Sequence, residues 1–471
     1  MMSAKQLDKI PKSTMLAAWA IALGAIAPML DSTMINIAID DLTQYFDVSL
    51  NMIQWGVTGY ILAMAIAVPF SGWLMDQFNS KIVYISSVAL FGVISVLTGL
   101  SESISLFILF RVLQGFSAGI ISTLMSTLLV KTAGHDKLGR VMAIVSIPMI
   151  LGPILGPVIG GFIIHFSSWK WIFYINIFVT VLIVPLMIKK LPSFMPFNKE
   201  KKLDWFGISN LSLISFTIIY GITKATENTT FINKETIISL VVGGLFIINY
   251  LIYNRMKNYQ TVLPTNLFKY RNFATSSSGL FLANIAIMGP MIILPLFFQQ
   301  FKNFNTIEAA TALMPQGIGM LIARPMIGKL TDQYGAKKVI LICLIVSLLA
   351  SIPLVFVTSQ TTILTMSIIL FMRGVSVGGI LLPFTTNTYV GLKDSQLPQA
   401  GITINIVENI GASFGSAIIA TVVATMTRST FVSPNNAVLA YQIGFLIPVI
   451  ILVLLFICWI YLPSKEEGET R

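Results

Sequence analysis

The chain has 471 residues, 55% of them hydrophobic and 10% charged, with a formal net charge of +11. Soluble domains carry about a quarter charged residues, so the composition excludes an ordinary globular domain and points to the membrane. The basic balance would suit nucleic acid only if the charges gathered on one face, and their spread along the chain excludes that. A bilayer core of roughly 30 Å needs about 20 apolar residues per helix. That ruler predicts fourteen spanning helices, at 14–39, 52–75, 82–100, 105–130, 141–164, 171–188, 206–223, 236–253, 273–297, 307–330, 339–357, 362–391, 400–425 and 441–462. The first is too long for a cleavable signal and many more follow it, so it reads as a spanning helix.

An even count puts both termini on one side. On that side the connections hold 22 Lys and Arg, against five in the opposite loops (Lys170, Lys224, Lys234, Lys302 and Arg428). The positive-inside rule makes the richer side cytoplasmic. The asymmetry accounts for the basic pI without nucleic acid. Arg111, Arg324 and Arg373 lie within predicted helices. Cys343 and Cys458 sit in apolar segments and suggest neither a disulfide nor a zinc site. No P-loop pattern occurs, so nothing suggests nucleotide hydrolysis. His135 and His165 fall at opposite faces, which argues against a catalytic cluster, and no metal site or other cofactor is expected. A receptor would more often carry a substantial soluble domain.

A repeat organises the chain. "VPFSGWLMDQFNSK" at 68–81 returns as "RPMIGKLTDQYGAK" at 324–337, sharing Pro, Gly, Leu, Asp, Gln and Lys. Arg111 on the fourth predicted helix is echoed by Arg373 on the twelfth. "MILGPILGPVIGG" at 149–161 is echoed by "ENIGASFGSAIIA" at 408–420, with Gly152 and Gly156 over Gly411 and Gly415. Three repeats in register predict two pseudo-symmetric six-helix bundles, 14–190 and 273–462, separated by an inserted helix pair within 191–272. Duplicated halves around a midplane site are a transporter architecture.

These stretches together resemble the major facilitator superfamily, and more narrowly its 14-helix drug/proton antiporters, the quaternary-ammonium and multidrug efflux pumps. The resemblance rests on "LDSTMINIAI" (30–39), "QWGVTGYIL" (54–62), "GWLMDQFNSK" (72–81), "LFRVLQGFSAG" (109–119), "GPILGPVIGG" (152–161) and "WKWIFYIN" (169–176). It implies an all-α integral membrane fold in the bacterial cytoplasmic membrane, protons as the coupling ion, and hydrophobic small-molecule substrates. A monomer in the lipid bilayer is expected. Three departures stand out. Asn79 and Ser80 replace a usual glycine and arginine, Glu408 stands where relatives carry a basic residue, and Arg324 where they carry a small or apolar one. Asn tolerates the left-handed conformation that glycine supplies, so the turn at 79 is expected to survive.

The intramembrane charges are the candidate site. An aspartate mid-membrane costs at least about 2.5–3.5 kcal/mol, so Asp31 is read as a proton-coupling and substrate-binding carboxyl, the competing readings being a pair made for packing and a first helix that ends early near Pro28. At 1.5 Å per residue, Asp31 lies about 25 Å up its helix from the inner face and Arg111 about 9 Å below the outer face, depths that allow a pair. The competing reading of Arg111 is an arginine that snorkels outward. By the same measure Glu408 lies about 12 Å and Arg324 about 9 Å from the inner side, so Glu408 is read as a second coupling and binding carboxyl with Arg324 as its charge partner. The competing readings are a buried protonated acid and a snorkelling arginine. Gln54, Tyr60, Asn284 and Asn405 are candidate cavity contacts, and Trp169 and Trp171 candidate interfacial anchors.

Gly152, Pro153, Gly156 and Pro157 allow close approach and bending and are candidate gating residues, with Gly72, Asp76, Gly328 and Asp332 in the repeated loops. Asp76 and Asp332 are expected to cap the helices that follow them. The expected function is export of hydrophobic, cationic drugs driven by proton entry. An exporter of lipid, fatty acid or another metabolite on the same scaffold is the rival, which Arg324 favours.

Overall fold

The computed structural model describes residues 10–134, 137–145, 152, 156, 159–164, 166–199, 202–304, 306–428 and 437–463. Every regular element among them is a helix. Twelve of these helices are long and apolar enough to cross a membrane, and they coincide with twelve of the fourteen predicted segments. Of the other two, 141–164 falls partly outside the described residues. The segment 307–330 corresponds to the helix Met314–Tyr334, which is less apolar because it carries Arg324, Lys329 and Asp332. The contacts divide the chain into two compact units, Met1–Leu203 with Lys393–Gly401, and Asp204–Leu392 with Ile402–Arg471.

The first unit contains α1 (Lys12–Gly24), α2 (Ile26–Met34), α3 (Ile39–Phe46), α4 (Leu50–Gln77), α5 (Ser80–Gly99), α6 (Ile104–Ala133), α7 (Leu138–Val145) and α8 (Lys170–Lys190). The single helix expected over 14–39 is broken after Gly24. Pro28 has no amide hydrogen for the Gly24 carbonyl, and the Ala25 N–H tightens back onto Ala22 at 3.1 Å. The break frees backbone acceptors, and side chains from neighbouring helices take them up. The Tyr84 hydroxyl donates to the Ile21 carbonyl at 2.6 Å, and the Tyr60 hydroxyl to the Pro28 carbonyl at 3.4 Å. One end of this unit is an aromatic cluster in which Trp169 stacks edge-on against Phe107 and Phe173, with centroids 6.1 and 6.0 Å away. Trp169 is therefore buried core and not the interfacial anchor expected, whereas Trp171 is 46% exposed, as an anchor requires.

The second unit contains α9 (Trp205–Glu227), α10 (Lys234–Met256), α11 (Arg271–Lys302), α12 (Thr306–Ala312), α13 (Met314–Tyr334), α14 (Ala336–Ser351), α15 (Ile363–Thr388), most of α16 (Leu397–Arg428) and α17 (Ala437–Tyr461). Phe297, Phe298, Leu370, Tyr441 and Phe445 belong to an apolar core of this unit. Helix α10 leaves Val241, Leu245, Ile248 and Ile252 exposed, an apolar surface suited to acyl chains.

The repeat read in the sequence has a structural counterpart inside each unit. Helix α6 crosses α4 so closely that a methyl group on Gly115 would collide with the Tyr60 carbonyl, and in the second unit a methyl on Gly374 of α15 would collide with the Gln316 carbonyl of α13. Gly244 on α10 has open space around it. Overpacking costs about 1–3 kcal/mol, so Gly115→Val and Gly374→Val should each lower the thermal unfolding midpoint of the detergent-purified protein, while Gly244→Val should leave it within error.

Candidate functional site

Asp31 and Arg111 are both fully buried, and an Arg111 guanidinium nitrogen stands 2.5 Å from Asp31 Oδ2. The same nitrogen donates to Gln114 Oε1 at 3.1 Å, and Arg111 Nε to the Gly56 carbonyl at 3.2 Å. The guanidinium lies 4.3 Å from the centroid of the Tyr60 ring, which receives a cation favourably on its face. On the other side of the carboxyl, Asn176 Nδ2 donates to Asp31 Oδ1 at 3.2 Å and to Ser95 Oγ at 2.8 Å. Gln114 Nε2 closes the ring onto Ser95 Oγ at 2.9 Å. The Thr98 hydroxyl stands 3.1 Å from Gln114 Oε1 and 2.9 Å from the Ile94 carbonyl, two acceptors for its one proton.

Helix geometry explains the gathering. Arg111 and Gln114 are three residues apart on α6, as are Ser95 and Thr98 on α5, so each pair shares a face. Gly115, beside Gln114, draws α4 close enough for Arg111 to reach the Gly56 carbonyl. The pairing of Asp31 with Arg111 was expected from depth alone. Gln114, Ser95, Thr98 and Asn176 were not singled out. Gln114 and Asn176 lie inside quoted motifs, and a buried amide in an apolar helix needs a partner as surely as a carboxylate does.

The second unit gathers a looser cluster around Glu408 on α16. The Thr385 hydroxyl of α15, which donates to the Leu381 carbonyl at 2.9 Å, lies near its carboxyl, and Arg324 on α13 interacts with it electrostatically; among the described residues Arg324 and Glu408 do not close into an ion pair. Arg324 packs over Gly378, and its Nε is buried with no hydrogen-bond partner. Tyr389, just past the end of α15, also feels the Glu408 charge. Arg373, the echo of Arg111, is buried but donates only to neutral acceptors, Gln316 Oε1 at 3.0 Å and the Ala286 carbonyl at 3.2 Å. That carbonyl is free because Pro290, four residues on in α11, has no amide hydrogen.

The remaining candidates are placed as follows. Tyr60 belongs to the Arg111 site. Gln54 is half-buried on α4. Asn284 on α11 is buried and donates to the Leu280 carbonyl of its own helix at 2.9 Å, and Asn405 is buried on α16. Gly152 and Gly156 face Met29 and Thr33 of α2 across a close contact, whereas Pro153 and Pro157 lie outside the described residues. Gly72 and Gly328 are buried within α4 and α13. Asp76 and Asp332 occupy the last turns of those helices, not the starts of the next ones as expected.

The profile of the Major Facilitator Superfamily matches residues 21–416. The chain belongs to that superfamily. It is 26% identical over 413 residues to the multidrug resistance protein B homolog of Mycobacterium tuberculosis, covering 87% of this chain and 76% of that one. It is 29% identical over 404 residues to the probable multidrug resistance protein EmrY of Escherichia coli, covering 85% and 78%. Against the lincomycin resistance protein LmrB of Listeria innocua it is 24% identical over 422 residues, covering 88% and 89%. The structure of the proton:xylose symporter XylE superposes with a TM-score of 0.64 at 14% identity, over 97% of this chain and 98% of that one, a likeness of fold.

The superfamily's loop motif departs here at Asn79 and Ser80, and the structure shows what replaces it. Asn79 has φ −63° and ψ 112°, extended and not left-handed, and its side chain caps α5 by accepting from the Lys81 N–H. Asn79 Nδ2 donates to Ser193 Oγ at 2.7 Å, and the Ser80 N–H donates to the Phe194 carbonyl at 3.3 Å. The chain leaving α8 lies along the loop. The Phe197 and Asn198 N–H groups donate to the Met75 and Asp76 carbonyls at 3.2 and 3.3 Å, and Lys131 stands 4.0 Å from the Phe197 ring centroid. In the second copy of the motif the turn is made by Gly335 at φ 81°.

Removing one member of a buried ion pair leaves the other uncompensated and costs about 3–5 kcal/mol, whereas replacing both with apolar groups is far milder. Asp31→Asn and Arg111→Met should therefore each destabilise the purified protein strongly, and the double variant less than the sum of the two. A thermal or denaturant double-mutant cycle measures this.

Proposed function

We propose that this chain exports hydrophobic, cationic drugs from the cytoplasm in exchange for protons, as a multi-pass transporter rather than an enzyme. The observation that carries the reading is the Asp31–Arg111 pair, a carboxylate held inside the bilayer span by a guanidinium and a ring of neutral side chains. A proton arriving at Asp31 neutralises one partner and releases the other, so protonation changes what α2 and α6 hold between them. The names of the relatives, multidrug and lincomycin resistance proteins, support a drug as the cargo. Glu408 serves in this reading as a second acid that a cationic drug and a proton compete for. Because drug and proton exchange at carboxylates, no nucleotide or other cofactor is needed.

The proposed architecture is fourteen spanning helices with both termini cytoplasmic, two six-helix halves that alternate access, and α9 and α10 as the inserted pair. The transporter works as a monomer in the bacterial cytoplasmic membrane. A second reading, export of an anionic lipid, fatty acid or metabolite, is favoured by one feature, the unpartnered Nε of Arg324 beside Glu408. In vesicles containing the purified protein, an imposed pH gradient should drive ethidium transport, Asp31→Asn should abolish the response, and Glu408→Gln should weaken it at least severalfold. Dye movement indifferent to the gradient defeats proton exchange, and transport confined to anionic amphiphiles favours the second reading.

A further inference from the structure

The hydrogen bonds around Asp31 leave one buried atom unaccounted for. Asn176 is fully buried, its Nδ2 bonds both Asp31 Oδ1 and Ser95 Oγ, and its Oδ1 has no partner. An unsatisfied amide oxygen in an apolar interior is costly, and a half-turn about the last side-chain bond would relieve it if its surroundings changed. Ser95 Oγ accepts from both Asn176 and Gln114, so its own proton remains to be given.

We propose that Asn176 is a positioning residue that reads the protonation state of Asp31, offering its N–H₂ to the carboxylate and, turned over, its oxygen to the carboxylic acid. The proposal rests on Asp31 as the coupling carboxyl. In the charged state the arrangement is the one observed. When a proton from water bonds to Asp31 Oδ1, that oxygen becomes a donor, and the observed Nδ2 opposite it faces a hydrogen instead of a lone pair. The amide flip puts Oδ1 where Nδ2 stood, 3.2 Å from the new O–H and 2.8 Å from the Ser95 hydroxyl. Both can donate to it, and Gln114 continues to donate to Ser95. No other bond is made or broken. Arg111 keeps Gln114 Oε1, the Gly56 carbonyl and the Tyr60 ring when the carboxylate is neutralised.

The groups facing the carboxyl make the switch specific. Helix α6 contributes the permanent charge of Arg111 and α4 the Tyr60 phenol, whose proton is held by the Pro28 carbonyl. Helices α5 and α8 contribute neutral groups, Ser95 and Asn176. Among the described residues no second carboxylate touches this site, so one proton at one oxygen decides which way the amide points.

Infrared difference spectra of the full-length protein in lipid vesicles, acid minus neutral, test this. The expected spectrum shows a carboxylic C=O band that Asp31→Asn removes, with a side-chain amide C=O band shifting in step with it and absent from both Asn176→Leu and Asp31→Asn. A hydrogen bond to a charged group is roughly twice as strong as a neutral one. Asn176→Leu should therefore raise the midpoint of the carboxyl band by about one pH unit, a roughly tenfold gain in proton affinity. A carboxyl band that titrates with no amide band moving, or a midpoint unchanged by Asn176→Leu, overturns the role of Asn176 while leaving Asp31 in place. A carboxyl difference spectrum that Asp31→Asn leaves unchanged overturns the reading of Asp31 and this proposal with it. If Asn176→Leu fails to fold, Asn176→Ser, which also lacks the amide band, takes its place.

Discussion

Inside the first unit, a carboxylate and a guanidinium sit 2.5 Å apart with no water-exposed surface. In that surrounding neither ion is tolerable without the other, and even the pair needs its remaining donors and acceptors occupied. The rest of the unit reads as the means to that end. Pro28 breaks the first helix one turn before Asp31, Gly115 brings α4 against α6, and four helices each supply a neutral partner or a backbone carbonyl. Tyr60 serves twice, its ring beneath the cation and its hydroxyl on a carbonyl that borders the break. The unit is a shell of helices organised around one ion pair.

The second unit repeats the scaffold without repeating the charge. Arg373 stands in the place of Arg111, and its helix crosses its neighbour in the same close way at Gly374. Its partners, however, are the amide of Gln316 and a carbonyl exposed by Pro290. A contact between a guanidinium and neutral acceptors contains no carboxylate, whereas the pair in the first unit does. In the second unit Glu408 lies on a different helix from Arg373, among different neighbours. Duplication has supplied two similar frames, and divergence has placed a carboxylate at a different point in each.

Most of this was legible in the sequence where a single physical rule decides. Apolar length located twelve helices that the structure contains, and depth along a helix was enough to match Asp31 with Arg111. The reading was weaker where several rules compete. Helix 1 was read as one run over 14–39, with an early end near Pro28 as the competing reading, because a proline in a membrane helix only sometimes breaks it. Trp169 was assigned to the interface from its position at a helix start, yet ring packing with Phe107 and Phe173 drew it inward. Asp76 and Asp332 were expected to begin helices and instead end them, since turn conformation at Asn79 and Gly335 sets those boundaries. Ser95, Thr98, Gln114 and Asn176 went unnoticed because neutral residues raise no alarm in a charge count. The ring they complete with Asp31 and Arg111 depends on four helices meeting, which no stretch of sequence displays.

The segment that runs back from α8 over the loop between α4 and α5 ties the ends of two helices into one knot. The last carbonyls of a helix have no partner within it, and here α4 finds its partners in the backbone of 197–198, while Lys81 reaches the Ile188 and Leu191 carbonyls at the end of α8, 2.8 Å from each. Each helix end is thus finished by the chain adjoining the other. What the segment contributes to the end of α4 is its amide hydrogens, which fix the spacing of its backbone, while the Phe197 ring meets Lys131. Its two prolines, Pro192 and Pro196, fall at positions whose amides are not used. A loop that looks like a connector is in this sense a measured length, closer to a splint than to a hinge.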